Sequence, residues 1–181
     1  MKKIWLLLVL SFAFFSCDDG DLTLEEINLD TGTDIDACVV EAGVTLLFKI
    51  NGAETLILEV PADLIVNTVT EATVVDGVVT PNPRTATLNS QAFCYYRSFD
   101  TTISNGYFCD EVPSDINITL EYAALAGEVE VTTLEIIDDV TNLTTGYKHT
   151  INLITVVFTG TNGQDVRDDL FEFGTIITPV E

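Results

Sequence analysis

The sequence contains little positive charge and few of the side chains on which enzymes commonly depend. It has 7 Lys and Arg residues against 29 Asp and Glu, with one His and a formal net charge of −22. Nucleic-acid binding needs a basic face, so this composition argues against nucleic acid as a partner. A zinc site needs several His or Cys ligands, and a Ser or Cys nucleophile usually needs a His base. We therefore expect His149, at the start of a predicted strand, to be an ordinary surface or strand-edge residue.

The N-terminus has the organisation of a secretory signal peptide. Lys2 and Lys3 are followed by an apolar run over residues 4–15 and by the small residue Ser16. This run is shorter than the about 20 residues that a membrane-spanning helix needs. The sequence therefore predicts a signal peptide over residues 1–16.

The four residues that end this segment, FFSC at 14–17, are similar to the lipobox of bacterial lipoprotein precursors. That resemblance implies that Cys17 is acylated and that the mature chain is anchored to a membrane, since two or three acyl chains anchor stably. The acidic residues Asp18, Asp19 and Asp21 directly behind it resemble the surface-export signal of Bacteroidota lipoproteins. The resemblance implies a chain held at the outer membrane and facing the cell exterior.

Residues 17–34 are acidic and lack a core-forming pattern, which predicts a tether between the lipid and the folded part. From residue 35 to 181 the chain is rich in Val, Ile, Leu and Thr, which favour strands. Asn51-Gly52 separates two apolar runs and predicts a hairpin, and Asp76-Gly77 marks another turn. Val129 and Val131 alternate with Glu residues, as they do in a strand with one buried face. We therefore predict one all-β domain, an antiparallel β-sandwich of immunoglobulin-like or related topology, with two small modules meeting near Pro113 as the alternative.

Three stretches of the chain resemble uncharacterised flavobacterial surface lipoproteins. They are LLFKINGAETLILEV, YYRSFDTTISNGYFCDEVP and the C-terminal TGYKHTINLITVVF with FEFG. They lie between residues 46 and 174 and are thus spread over most of the mature chain. The resemblance implies no activity that could be assigned to particular residues.

Three cysteines remain for pairing in an exported chain, where disulfides persist. Cys94 and Cys109 flank a predicted hairpin with Thr101 and Thr102 at its tip, which would place the two cysteines opposite each other. This local pair is the favoured disulfide. The rival is a bond between Cys38 and Cys109, which would tie the first strand to the middle of the chain.

Carboxylates are the one kind of potentially functional side chain that this sequence contains in large number. The oxygen-rich segment at residues 162–169 suggests a structural calcium site with Asp165, Asp168 and Asp169 as ligands, because calcium takes six to eight oxygen ligands. Acidic turn residues explain the same pattern without a metal.

Paired glutamates also raise the alternative of a β-sandwich carbohydrate-active enzyme, since a glycosidase needs only two carboxylates. The glutamates on or beside predicted strands are Glu121, Glu128, Glu130, Glu135 and Glu172. Glutamate alternating with valine is also what a solvated sheet face contains. We therefore expect a non-enzymatic, lipid-anchored module for binding, adhesion or an accessory role, with a protein or glycan ligand contacted by its loops.

Overall fold

The computed structural model describes residues 34–110 and 115–180. These residues form nine β-strands and one short helix. The strands are β1 (Leu46–Asn51), β2 (Glu54–Glu59), β3 (Ala72–Val75), β4 (Val78–Pro81), β5 (Arg84–Thr87), β6 (Phe93–Phe99), β7 (Ile118–Ile137), β8 (Thr144–Gly160) and β9 (Asp165–Pro179), and the helix is α1 (Gly106–Cys109).

Seven of the strands form one antiparallel sheet. Its order is β1-β2-β6-β7-β8-β9, and β5 pairs with β7 beyond the point where β6 ends. Strands from both sides of Pro113 therefore belong to the same sheet. The remaining strands, β3 and β4, form a separate two-stranded sheet. The predicted hairpins are confirmed: Asp76-Gly77 joins β3 to β4, and Gly52-Ala53 joins β1 to β2, with Asn51 as the last residue of β1 paired to Glu54.

The three long strands bend because each contains a residue with positive φ in its interior. These residues are Gly127 in β7, Thr155 in β8 and Gly174 in β9. In β7 the buried side changes across the bulge, from Tyr122 and Ala124 to Val129 and Val131, because the irregular residues shift the period-two alternation. A side chain at Gly127 would lie 2.8 Å from the carbonyl oxygen of Ile154, so only glycine fits there.

This bending curls the sheet until its two outermost strands approach each other. The Lys49 Nζ of β1 donates to the carbonyl oxygen of Phe173 in β9 at 3.2 Å. Asp36 pairs through its backbone with Phe48 on the free edge of β1, while Ile35 packs on Gly174 of β9. The curled sheet encloses the apolar core. The predicted all-β antiparallel sandwich is confirmed, and its layers come from one curled sheet.

A second, smaller apolar layer covers the outer face of β1, β2 and β6. Phe48 stacks on Phe108 of α1 with ring centroids 4.2 Å apart, and Phe99 meets Tyr107 edge to face at 4.9 Å. Ile57 is buried in the same face. The short helix is therefore held by aromatic packing, since four residues are too few to form a stable helix alone.

The disulfide joins Cys38 to Cys109, so the favoured pair of Cys94 and Cys109 is wrong. The chain after β6 enters α1 and returns beside β6 only with β7, so Cys109 lies in the helix and is not on a strand paired with β6 as the predicted hairpin around Thr101 and Thr102 required. Cys94 lies inside β6 opposite Leu58 and points into the core as a free, buried thiol. The bond that forms fixes α1 to the segment preceding β1.

Candidate functional site

The separate two-stranded sheet is a complete β-hairpin, which we call the valine hairpin (residues 72–81). Asp76 and Gly77 form its two-residue turn with φ of 52° and 80°. Positive φ at both central residues is the geometry of a type I′ turn, which Asp-Gly favours and which matches the twist of paired strands. The sequence VVDGVV thus directs this hairpin locally, with Val75 paired to Val78 and Val74 to Val79.

The hairpin exposes all four of its valines. Val74, Val75, Val78 and Val79 each retain 62–64% of their accessible surface. Val74 and Val79 share one face, while Val75 and Val78 share the other, because side chains alternate along a strand. An isolated hairpin buries no core of its own, and soluble proteins rarely display contiguous apolar surface without a use for it.

The base of the hairpin is attached firmly to the main sheet. The Thr70 backbone N–H donates to the carbonyl oxygen of Thr133 in β7 at 2.9 Å, and the Thr70 hydroxyl accepts from the Thr133 N–H at 2.7 Å. Arg84, the first residue of β5 and three residues after the hairpin, donates to the carbonyl oxygens of Leu64 and Thr68 at 2.9 and 3.1 Å. These bonds fix both ends of the hairpin where they meet β5 and β7.

A buried chain of polar side chains extends this attachment into the protein. The Arg84 guanidinium donates to the Thr133 hydroxyl, which lies 2.8 Å from His149 Nδ1. His149 Nε2 lies 2.9 Å from the Thr178 hydroxyl, which donates to the side-chain oxygen of Asn67. Because Arg84 can only donate and the Thr178 proton goes to Asn67, Nδ1 accepts and Nε2 donates. Every polar side-chain atom in this hydrogen-bonded network therefore has a partner.

His149 is fully buried, so the expectation of a surface or strand-edge histidine is wrong. Burial and, to a smaller extent, the positive charge of Arg84 together lower its pKa from 6.5 to about 4. Burial also lowers the pKa of Arg84. A neutral imidazole with both ring nitrogens bonded to threonines serves to connect β7, β8 and β9, and neither nitrogen is free to act as a base.

The glutamates of the enzyme alternative lie mostly on the outer face of the long strands. Glu130, Asn152 and Glu172 occupy one row across β7, β8 and β9, which places the two glutamate Cα atoms about 10 Å apart. Glu172 is exposed, and the next row consists of Thr132, Thr150 and Thr175. No aromatic residue stands in either row.

Three surface depressions have volumes of about 340, 290 and 470 Å³. Glu59 is the carboxylate that lines the first, Asp110 lines the second, and the third is lined by none. None of these depressions brings two carboxylates together. The glycosidase alternative therefore stays a prediction that none of these three depressions supports.

The three aspartates of the calcium hypothesis lie along β9. Asp165 accepts from the Thr159 hydroxyl at 2.8 Å, and this bond together with Arg167 lowers the pKa of its carboxyl. Asp168 accepts from the backbone N–H of Leu170, while Asp169 points to the opposite face because it is the next residue in the strand. In the described part of the chain, no three His, Cys, Asp or Glu residues are grouped as a metal would require. The calcium site stays a prediction.

Cys17, the predicted lipidation site, lies outside the described residues, as does the tether up to residue 33. Among the residues that are described, no helix is long and apolar enough to cross a membrane.

Sequence reasoning missed the valine hairpin as a site although it recognised the turn. The available signal was the pattern itself, since two adjacent valines on each side of Asp76-Gly77 place apolar side chains on both faces of a hairpin. The comparisons with known proteins supply no further guide: no protein-family model, curated protein or solved structure matches this chain.

Proposed function

We propose that the protein is a lipid-anchored binding module of the outer bacterial surface, without enzymatic activity, and that the valine hairpin is its contact surface. The membrane attachment follows from the signal peptide and from Cys17 in its lipobox-like context. The single observation that supports the binding role is the exposure of four valines on a hairpin whose base is rigidly attached.

A rigid base and an apolar projecting tip suit recognition. The hydrogen bonds between Thr70 and Thr133 and those made by Arg84 hold the orientation of the hairpin, so little conformational freedom is lost when a partner binds. The valines then supply the apolar area that a binding interface buries at its centre. The net charge of −22 keeps a chain with such a surface dispersed in water.

The anchor and the contact surface are tested separately. Mass spectrometry of the native protein should find fatty acyl chains on Cys17, and Cys17→Ala should leave the membrane fraction. An unmodified thiol at this position would refute the anchor.

The contact surface is tested on protein and glycan arrays with the purified full-length mature chain. The variant Val74→Thr/Val79→Thr removes apolar surface but keeps β-branched side chains, so the hairpin should persist. Its matched control is Leu170→Thr, which changes an exposed apolar residue on β9. We expect array ligands to be lost by the hairpin variant and kept by the control. Equal binding by both variants would contradict the assignment of the contact surface to the valine hairpin.

A further inference from the structure

The outer edge of β3 is the part of the valine hairpin best suited to accept another strand. In a hairpin closed by a two-residue turn, Val75 and Val78 form the hydrogen-bonded pair, so the backbone groups of the next pair, Val74 and Val79, point outward. The bond from Asn82 N–H to the Glu71 carbonyl fits this alternation. On β4 the next outward position is Pro81, which has no N–H, whereas on β3 it is Ala72, which has one. The β3 edge alone offers an uninterrupted set of donors and acceptors.

This edge is unoccupied in the described part of the chain. Neither β3 nor β4 pairs with a third strand there, and the backbone of residues 72–81 makes no hydrogen bond to another element. Exposed strand edges are templates for pairing with another chain, and natural proteins commonly protect them with Lys, Pro or a covering segment. Here only the β4 edge carries such protection, at Pro81.

The charge of the hairpin and its surroundings selects the partner. Residues 71–83 contain Glu71 and Asp76 and no Lys or Arg, in a protein of net charge −22. A second copy of this chain would bring like charges together, and a bilayer would have to accept Asp76 at the tip of the hairpin. A basic segment of another protein would avoid both the repulsion between like charges and the burial of Asp76 in lipid.

We propose that the β3 edge of the valine hairpin binds an extended segment of a partner protein in which apolar and basic residues alternate, and that this segment adds as a third strand. The inference rests on the proposed binding function and specifies its ligand. Main-chain hydrogen bonds at Ala72 and Val74 would hold the segment. Its apolar side chains would continue one valine face, and its basic side chains would lie near Glu71 and Asp76.

The experiment uses the full-length mature protein in detergent and fluorescein-labelled eight-residue peptides, followed by fluorescence anisotropy. The probe alternates Val with Lys, and the matched peptide alternates Val with Glu. We expect the Val/Lys peptide to bind at least about tenfold more tightly than the Val/Glu peptide, and its binding to weaken as salt is added. N-methylation of alternate backbone amides of the Val/Lys peptide, in the register that donates to the protein, should abolish its binding.

Two proline variants test which edge is used. Val74→Pro removes an outward N–H from β3, and Val79→Pro removes the opposite outward N–H from β4. The two variants are matched, because each replaces an equally exposed valine and neither breaks a hydrogen bond within the hairpin. We expect Val74→Pro to weaken peptide binding at least about tenfold and Val79→Pro to change it by no more than about twofold. If a proline variant fails to fold, the N-methylated peptide still tests the pairing.

Other outcomes overturn the inference. These are no binding of the Val/Lys peptide, equal binding of the two peptides, equal losses in the two proline variants, a dimer of this chain broken by Val74→Pro, or hairpin-dependent binding to lipid vesicles. If array ligands still depend on Val74 and Val79 while the peptides fail, the partner chemistry is wrong and the proposed function stands. If the arrays show no dependence on the hairpin, the proposed function itself is wrong.

Discussion

Acidification should destabilise this protein through His149, although lower pH relieves its negative self-repulsion. The folded state disfavours the imidazolium, because the pKa of His149 is about 4 there against 6.5 for a histidine in water. Between these values the unfolded chain binds more protons than the folded one. The stability due to neutral His149 is therefore fully present above pH 6.5 and is lost as pH falls toward 4.

The magnitude follows from the two pKa values. Each unit of pKa difference corresponds to about 1.4 kcal/mol, so the full loss is about 3 kcal/mol, of which about 2 kcal/mol falls between pH 7 and pH 5. This is a large fraction of the 5–15 kcal/mol by which domains are typically stable. The loss arises mainly because a buried imidazolium is poorly solvated, and also because it stands near the positive Arg84 and offers no acceptor to the Thr133 hydroxyl.

The assay is urea unfolding followed by far-UV circular dichroism at pH 7, 6 and 5, on the wild type and on His149→Gln. Glutamine offers one acceptor and one donor for Thr133 and Thr178 but does not titrate in this range. The 29 carboxyl groups titrate in both proteins, so their effect cancels in the difference. We expect the wild type to lose about 2 kcal/mol more than the variant between pH 7 and pH 5. Parallel curves for the two proteins would refute the reasoning.

Three further predictions concern the scaffold. Replacing Cys38 and Cys109 by Ser should lower the free energy of unfolding by about 4 kcal/mol in the chain-entropy model, since the bond spans 71 residues; a urea midpoint that matches the wild type would contradict this. Cys94 should react with a thiol reagent only after denaturant is added, because burial raises the pKa of its thiol, and rapid labelling of the native protein would disprove its core position. Gly127→Ala should lower the free energy of unfolding in urea by at least about 2 kcal/mol, because its Cβ would meet the backbone of β8. Gly163→Ala, which has open space around it, should lower it by about 1 kcal/mol, and equal losses in the two variants would argue against the bulge.

Sequence reasoning recovered the turns that are determined locally. Both expected hairpins form, with turns at Gly52-Ala53 and Asp76-Gly77, because the backbone preferences of turn residues act within four residues. The alternation around Val129 and Val131 correctly placed both valines in the core. These features depend on period and turn chemistry, which the sequence contains directly.

The long bent strands could not be predicted from the sequence in the same way. Because glycine usually weakens a strand interior, the sequence around Gly127 does not indicate one continuous strand of 20 residues. In the structure this glycine allows β7 to continue through a bulge for 20 residues, and this is a consequence of pairing with β6, β5 and β8. The local disulfide was preferred over the rival Cys38–Cys109 bond for a related reason, since Cys109 reaches Cys38 only because the chain after β6 forms α1. Both depend on partners that are distant in sequence.

The valine hairpin differs from these cases because its local and global requirements conflict. Its turn and register are specified as clearly as any in the chain, yet its side chains violate the rule that apolar residues face a core. Many other apolar side chains meet that rule, in the core or in the second apolar layer under α1, while Val140 and Leu143 in the loop between β7 and β8 are exposed as well. The hairpin differs from that loop because its four exposed valines lie together on a paired and firmly attached element. Violations of this kind are expected at functional sites, and for that reason we assign the contact surface to the hairpin.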